Sequence, residues 1–483
     1  MVDHSRMLKL GAQASERSES ELRDHLEGSR VSIGLDPIIP GVALAAEVLV
    51  RTLRRMPGVI NLDPSGVPRD LVDRIVAQAA LIDPDRPIGV ARQGEFDVGI
   101  RLALAAPRGI LRAVPDLHGY RLTTGSGELR QRRPASGLGS ASMAAAVSGE
   151  VFKTIAAVKA PRGIRHKSLS FCPVTLSRRP ENGPELPASW ELSAMLIGLG
   201  ALGTGTTLIL STMPVEGVLD LIDPQRYAPE NVGTYSLGGV QEGRDGPFKT
   251  DVAAAALPRF ETHGWQRFAG ELPELVDGSS LQWPNVVLSG LDSPAARLDA
   301  QRLRADRMID GGTGGTMVGL HVSRDGGQPC MSCYFPEATA GGPGVIDDLA
   351  LMTGLSPALL VRGAEVLKEH HLAGLDADQQ ALVRPYVGHE VCGLVSALGL
   401  TDLKSDDYQP SVPFVSLAAA TLVVGRLVAQ ETGVEPPPNF VQFDALGGPN
   451  RLTAVRRRAR PGCECIRAAG IIAAVRAKRR ARG

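Results

Sequence analysis

The stretch Ala194-Met-Leu-Ile-Gly198-Leu-Gly200-Ala-Leu-Gly203 decides the fold. An apolar run of strand type leads into three glycines, and the pattern behind them, Leu202 to Met213, is helical. Gly198 permits a tight turn, Gly200 lets backbone amides approach a phosphate, and Gly203 lets the helix pack closely on the strand. The helix N-terminus adds a partial positive charge. Gly217-Val-Leu-Asp-Leu-Ile-Asp223 follows as a second strand, and Asp223 at its end can accept hydrogen bonds from ribose hydroxyls. Strand, turn, helix, strand is the opening of a doubly wound α/β sheet with a nucleotide crevice. The glycine loop alone does not choose between NAD and ATP.

An earlier segment reads the same way. Arg30-Val-Ser-Ile-Gly-Leu-Asp36 is followed by Pro37-Ile-Ile-Pro40-Gly41, a helical pattern from Val42 to Arg55, and Val59-Ile-Asn-Leu-Asp63. Here Asp36, Pro37 and Pro40 stand where the other copy has glycines. A carboxylate repels a bound phosphate, and proline removes the amides that would hold it. Two Rossmann-like domains in tandem, an inactive copy and then an active one, are therefore expected.

Residues beyond Asp223 narrow the chemistry. Asn231 lies eight residues on, Lys249 opens a helix expected over Asp251–Leu257, and the strand Asn285-Val-Val-Leu-Ser-Gly-Leu ends at Asp292, with Arg297 five residues later. Met308-Ile-Asp310 then runs into Gly311-Gly-Thr-Gly-Gly315. Hydride transfer has no use for an amine and a carboxylate aimed at phosphates. Transfer of an adenylyl group uses both, the amine against the triphosphate and the carboxylate for Mg²⁺.

With Gly198, Gly200, Gly203, Asp223, Asn231, Lys249, Asp292 and Arg297, the stretch from Leu196 to Cys333 resembles the ThiF/MoeB and ubiquitin-activating superfamily of adenylyltransferases. The resemblance implies ATP as substrate, Asp223 on the ribose, Asn231 and Lys249 on phosphates, and Asp292 on magnesium. It implies adenylation of the C-terminal carboxylate of a ubiquitin-like or sulfur-carrier protein ending in glycine, with a downstream conjugating protein as a further partner. Adenylation of a peptide or amino-acid carboxylate is the alternative in the same class; an NAD-dependent oxidoreductase and a non-catalytic scaffold are the rivals outside it. The family pairs an inactive with an active adenylation domain, and an arginine near one copy's N-terminus reaches the other copy's ATP site; Arg6 is the matching residue here. Two positions depart from the family pattern. Gln225 replaces a second acidic residue and Thr234 replaces an arginine, leaving Arg226 or Arg244 to supply that charge.

The six cysteines of the 483-residue chain follow the same logic. No apolar leader precedes them, so a cytoplasmic, reducing setting and metal or core roles are expected rather than disulfides. Cys330-Met-Ser-Cys333 has zinc-ligand spacing, and Cys463-Glu-Cys465 is tighter. The resemblance implies that all four hold one structural Zn²⁺. Cys172 sits in an apolar strand and reads as a core residue. Cys392, three residues after His389, has two readings: a buried helix residue, or the thioester-forming nucleophile that the family places in its crossover segment.

The 52 basic and 52 acidic side chains balance, so no global field points to nucleic acid or a membrane surface. Lys478–Arg482 reads as a frayed, solvated tail, and residues 178–187 as an exposed connection. Phe414 to Gly425, the longest apolar run, is short of the ~20 residues that span a bilayer. The domains expected are a degenerate Rossmann-like domain over 1–177, an active adenylation domain over 190–335, a helical crossover segment over 336–411, and a C-terminal part over 412–483 with a long helix, a hairpin and the second cysteine pair.

Overall fold

The computed structural model describes the chain except residues 1, 92–94, 108, 126–127, 325–327, 337–349, 351, 362–364, 390, 392–393, 395–411, 435–437 and 482–483. Its first sheet holds β1 (Arg30–Leu35), β2 (Val59–Asp63), β3 (Gly89–Val90), β4 (Val98–Leu102), β5 (Leu111–Asp116), β6 (Gly119–Thr123) and β7 (Ser168–Phe171). The spatial order is β3-β2-β1-β4-β5-β6-β7. The second holds β8 (Trp190–Ile197), β9 (Val215–Ile222), β10 (Phe260–Trp265), β11 (Val286–Ser289), β12 (Arg307–Gly314), β13 (Met317–Arg324), β14 (Phe440–Asp444) and β15 (Thr453–Val455). Its order is β10-β9-β8-β11-β12-β13-β14-β15. Apart from the extra β15, the two sheets are the same sheet twice. Each is parallel through its fifth strand in sequence and antiparallel beyond it. In both, the order reverses beside the central strand, where an open α/β sheet leaves its binding crevice.

The helices repeat too. Val42–Leu53 follows β1 and Ala201–Ser211 follows β8; Gly137–Ile155 follows β6 and Pro413–Glu431 follows β13. The last two run 19 residues each and are buried nearly all round, because they pack on one another as well as on their own sheets. Phe152 and Phe414 meet between them with ring centroids 5.4 Å apart. Pro413–Glu431 extends the apolar run read from the sequence. It is long and apolar enough to cross a membrane, yet 89% of its apolar window is buried inside the protein. Each fully buried Val or Leu there contributes about 1.5–3 kcal/mol, so the helix is the shared core of the two halves.

Several expectations change. Lys249–Ala255 is the helix expected at Asp251–Leu257, started two residues earlier by its lysine. Within the segment expected to be helical over 336–411, Pro357–Val361 is a helix and Glu369–Leu372 is a 3-10 turn. The C-terminal tail is no frayed end: Arg479 is buried, its guanidinium on both oxygens of Asp277 (2.9 and 2.8 Å) and on the carbonyls of Arg302 and Leu303 (both 2.8 Å). The connection at 178–187 is pinned, since Glu181 pairs with Arg121 and Arg132 and the Pro184 carbonyl meets His118 Nε2 at 2.8 Å.

Candidate nucleotide site

β8 delivers its chain into the crevice through Gly198, which holds φ +83°, a conformation that favours glycine. A Cβ on Gly203 would lie 2.0 Å from the Gly198 carbonyl oxygen, so only glycine lets the helix pack this close. At Gly200 the reason differs. A Cβ there would meet only Tyr235 Oη, at 3.8 Å, so the space above this helix cap is open to a ligand. The first amides of Ala201–Ser211 have no side-chain cap and face that space with the positive end of the helix.

Asp223 is buried just past β9, and both its oxygens serve the loop. One accepts from the Leu199 amide at 2.8 Å, the other from the Gln225 amide at 2.9 Å. Each oxygen keeps a second lone pair for a ribose hydroxyl. Lys249 is buried at the start of its helix, with Nζ 2.5 Å from Gln225 Oε1 and 5.1 Å from the centre of the Tyr235 ring. The Gln225 that departs from the family pattern thus holds the lysine. Asn231 is buried in a 3-10 turn, where its side-chain oxygen accepts from the Ala228 amide at 2.9 Å.

Asp292 is exposed in the loop after β11, and among the described residues it engages no partner. That freedom suits a metal ligand. Arg297, by contrast, is buried and occupied. Its guanidinium lies 3.0 Å from Asp310 and 2.5 Å from the Leu291 carbonyl oxygen, fixing the loop that carries Asp292. Asp310 is fully buried. Burial raises its pKa, but Arg297, His321 (3.0 Å) and Ser289 (2.7 Å) outweigh this and hold it below the usual carboxylate range. The sequence gives no local sign of this cluster, since Ser289, Arg297, Asp310 and His321 come from four separate elements. Arg226 stacks over Phe248 at 4.0 Å and donates to the Gly246 carbonyl, while Arg244 is exposed.

The first half reaches into this site. Arg6 is half-buried on the helix Ser5–Ser15; burial raises the pKa of Tyr235, and Lys249 and, more weakly, Arg6 oppose that rise. Arg55, fully buried, donates to the carbonyls of Val232 (2.5 Å) and Gly238 (2.8 Å), which flank Tyr235 in the chain. His4, just before that helix, ties Arg55 to Arg86: its Nδ1 is 3.1 Å from the Arg55 carbonyl and its Nε2 is 2.7 Å from Arg86.

Cys330, Cys333, Cys463 and Cys465 converge. Their sulfurs lie within 4.8 Å of one another, with separations of 3.9 Å (Cys330–Cys333), 3.6 Å (Cys330–Cys463) and 3.6 Å (Cys333–Cys465). Four sulfurs about 2.3 Å from a tetrahedral zinc stand about 3.8 Å apart, so the cluster can hold such an ion. A cavity of about 290 Å³ lies beside it, lined by Cys330, Cys465, Met308, Arg304, Arg324 and Arg476. Cys172 is fully buried and burial pushes its thiol up, as befits a core residue. Cys392 lies outside the described residues.

No protein-family model matches the sequence, and no curated protein does. Solved structures do match. The chain is similar to MccB, TcdA and PaaA. Against E. coli MccB with SeMet MccA, identity is 12%, the match covers 56% of this chain and 65% of that one, and the TM-score is 0.35. Against E. coli tRNA N6-threonylcarbamoyladenosine dehydratase, TcdA, in complex with AMP, the figures are 15%, 51%, 87% and 0.29. Against PaaA they are 15%, 53%, 70% and 0.29. The chain thus spans just under two thirds of the MccB chain.

Proposed function

We propose that the second half binds Mg·ATP and adenylates the C-terminal carboxylate of a protein or peptide. The carrying observation is the open crevice over Gly200. The uncapped amides of Ala201–Ser211 begin there, Lys249 lies 5.1 Å from the ring of the Tyr235 that meets that space, and the reading gives the metal to the unengaged Asp292. A carboxylate oxygen attacks the α-phosphorus, the bond to the β-phosphate oxygen breaks, and pyrophosphate leaves with that electron pair. The loop amides and Lys249 neutralise charge that grows on the phosphate oxygens. Asp223 orients the ribose while it locks the loop. Asp292 would hold Mg²⁺, which when bound spreads the charge of the triphosphate. Arg6 adds a cation from the first half.

In the finer reading, the carboxylate is the terminal glycine of a ubiquitin-like or sulfur-carrier protein in the cytoplasm, and Cys392 takes the acyl group as a thioester. The thiolate would attack the acyl carbon and AMP would leave. Cys392→Ala would then keep adenylation and lose any reductant-sensitive adduct with the carrier. We also assign one structural Zn²⁺ to the four cysteines, with no open coordination position for chemistry. Metal analysis should find one zinc per chain, and replacing Cys330 and Cys333 with serine should remove it together with thermal stability.

Exchange of labelled pyrophosphate into ATP tests the main reading. Exchange should appear only when a substrate with a free C-terminal carboxylate is present. A protein that binds Mg·ATP yet exchanges label with no peptide or carrier protein ending in glycine would contradict it.

A further inference from the structure

Where the family pattern has an arginine, this chain has Thr234, and Thr234 does not take over its work. It is buried, and its hydroxyl turns back to the Asn231 carbonyl at 3.4 Å. Arg226 is held over the Phe248 ring and by the Gly246 carbonyl, and Arg244 is exposed on the helix Val240–Asp245. The residue after Thr234 is the one that reaches the crevice. A Cβ on Gly200 would lie 3.8 Å from Tyr235 Oη, so this hydroxyl borders the open space above the helix N-terminus.

Tyr235 is fixed from several sides. The Ser236 amide donates to Thr204 Oγ1 at 3.1 Å, which ties the segment to the helix Ala201–Ser211. The Tyr235 ring stands edge-on to Tyr227, with centroids 5.5 Å apart and planes at 85°, and the Tyr227 hydroxyl donates to the Leu237 carbonyl at 3.0 Å. The first half supplies the rest. Arg55 holds the Val232 and Gly238 carbonyls on either side of Tyr235. First-half backbone also lies against the segment's glycines: a Cβ on Gly233 would fall 1.9 Å from the Asp3 carbonyl oxygen, and one on Gly239 would fall 1.9 Å from that of Leu81. Such a group is oriented before any ligand arrives and needs no rearrangement during reaction.

The neighbouring Lys249 decides what the hydroxyl can offer. Its ammonium, 5.1 Å from the ring centre, hydrogen-bonds the Tyr235 hydroxyl, and an ammonium only donates. The hydroxyl oxygen therefore accepts from the lysine, and its own proton remains to be donated. Burial raises the phenol's pKa, so that proton is held at neutral pH. We propose that Tyr235 donates a hydrogen bond to a phosphate oxygen of bound ATP, in place of the arginine that Thr234 replaces. The assignment rests on the adenylation reading and adds to it a neutral phosphate ligand that the first half of the chain positions.

Tyr235→Phe in the full chain removes the hydroxyl and keeps the ring, and thermal unfolding checks that the variant folds as the wild type does. Removing one preorganised donor should lower kcat/KM for ATP in pyrophosphate exchange at least 30-fold. The Kd for Mg·AMPCPP should rise at least tenfold. Adenosine, which has the base and ribose but no phosphate, separates contact from loop disorder: its Kd, followed by ligand-detected NMR, should stay within twofold. Adenosine affinity falling by the same factor as that of Mg·AMPCPP would make Tyr235 a structural residue and overturn the assignment. Exchange and Mg·AMPCPP binding within threefold of wild type would also overturn it and leave adenylation standing. Wild-type protein that does not bind Mg·AMPCPP would instead sink the adenylation reading.

Discussion

The two halves share a sheet and differ in what stands over it. β1 pairs with β2 so that Gly34 faces Asp63, and in the second half Gly198 and Asp223 follow the same register. In the first half, Arg101 of β4 lies against Gly34 and pairs with Asp63 at 2.6 Å. A Cβ on Gly34 would fall 1.8 Å from the Arg101 guanidinium, so that glycine seats an arginine rather than a phosphate. In the second half the matching position is Gly290, which lies against the Gly198 backbone and leaves the crevice clear. Asp36 likewise stands where the second half has Gly200. The comparison teaches that the fold follows from apolar alternation and survives in both copies. The site depends on a few positions having no side chain, and those are what the first copy has filled.

The sharpest way to break the comparison is to copy one difference across. Gly200→Asp places the first half's carboxylate over the helix N-terminus, where open space accepts it without strain. It should cut pyrophosphate exchange at least a thousandfold, about 4 kcal/mol, at unchanged melting temperature. Exchange within tenfold of wild type would mean that phosphate does not lie there. Lys249→Ala removes the cation but keeps the open space, and one such contact at a transferring phosphoryl group is worth about 3–4 kcal/mol, several hundredfold in kcat. A tenfold loss or less would give the role to Arg226 or Arg6.

The histidine that backs Arg55 should show itself in pH. Burial, and then the nearby Arg86, lower the His4 pKa to about 4. A histidine held neutral in the fold favours the folded state fully above its unfolded pKa of about 6.5, and that stability is lost as pH falls from there to about 4. The loss should approach about 3 kcal/mol, read as a falling urea midpoint. His4→Asn should flatten the slope; an unchanged slope would remove His4 as its source. The smallest effect is expected in the first copy. Arg101→Gly imitates Gly290, leaves Asp63 without its partner, and should cost about 1–2 kcal/mol, since the pair is only partly buried. It should not create nucleotide binding, because Asp36 and the prolines remain. A second nucleotide per chain in this variant would show that the arginine alone closes the first site.

These residues also mark what was legible in the sequence. The glycine loop, its degenerate copy and the cysteine pairs could be read because each is a local pattern that a single turn or knuckle requires. Gln225 could be seen as a departure but not as the group that holds Lys249, since that depends on where a helix 24 residues later begins. Tyr235, Arg55 and the Asp310–His321 pair were invisible, because their roles arise only when distant strands and the two halves meet. Arg297 belongs to the resemblance by its position, but its contact with Asp310 and its hold on the Leu291 carbonyl, just before Asp292, could not be read from the sequence.

Nucleotide binding is proposed for the second copy alone. Isothermal titration of the full chain with the non-hydrolysable analogue AMPCPP in Mg²⁺ measures this directly. The account predicts one site per chain, abolished by Gly200→Asp and unaffected by Arg101→Gly. Two sites per chain, or one that survives Gly200→Asp, would contradict it.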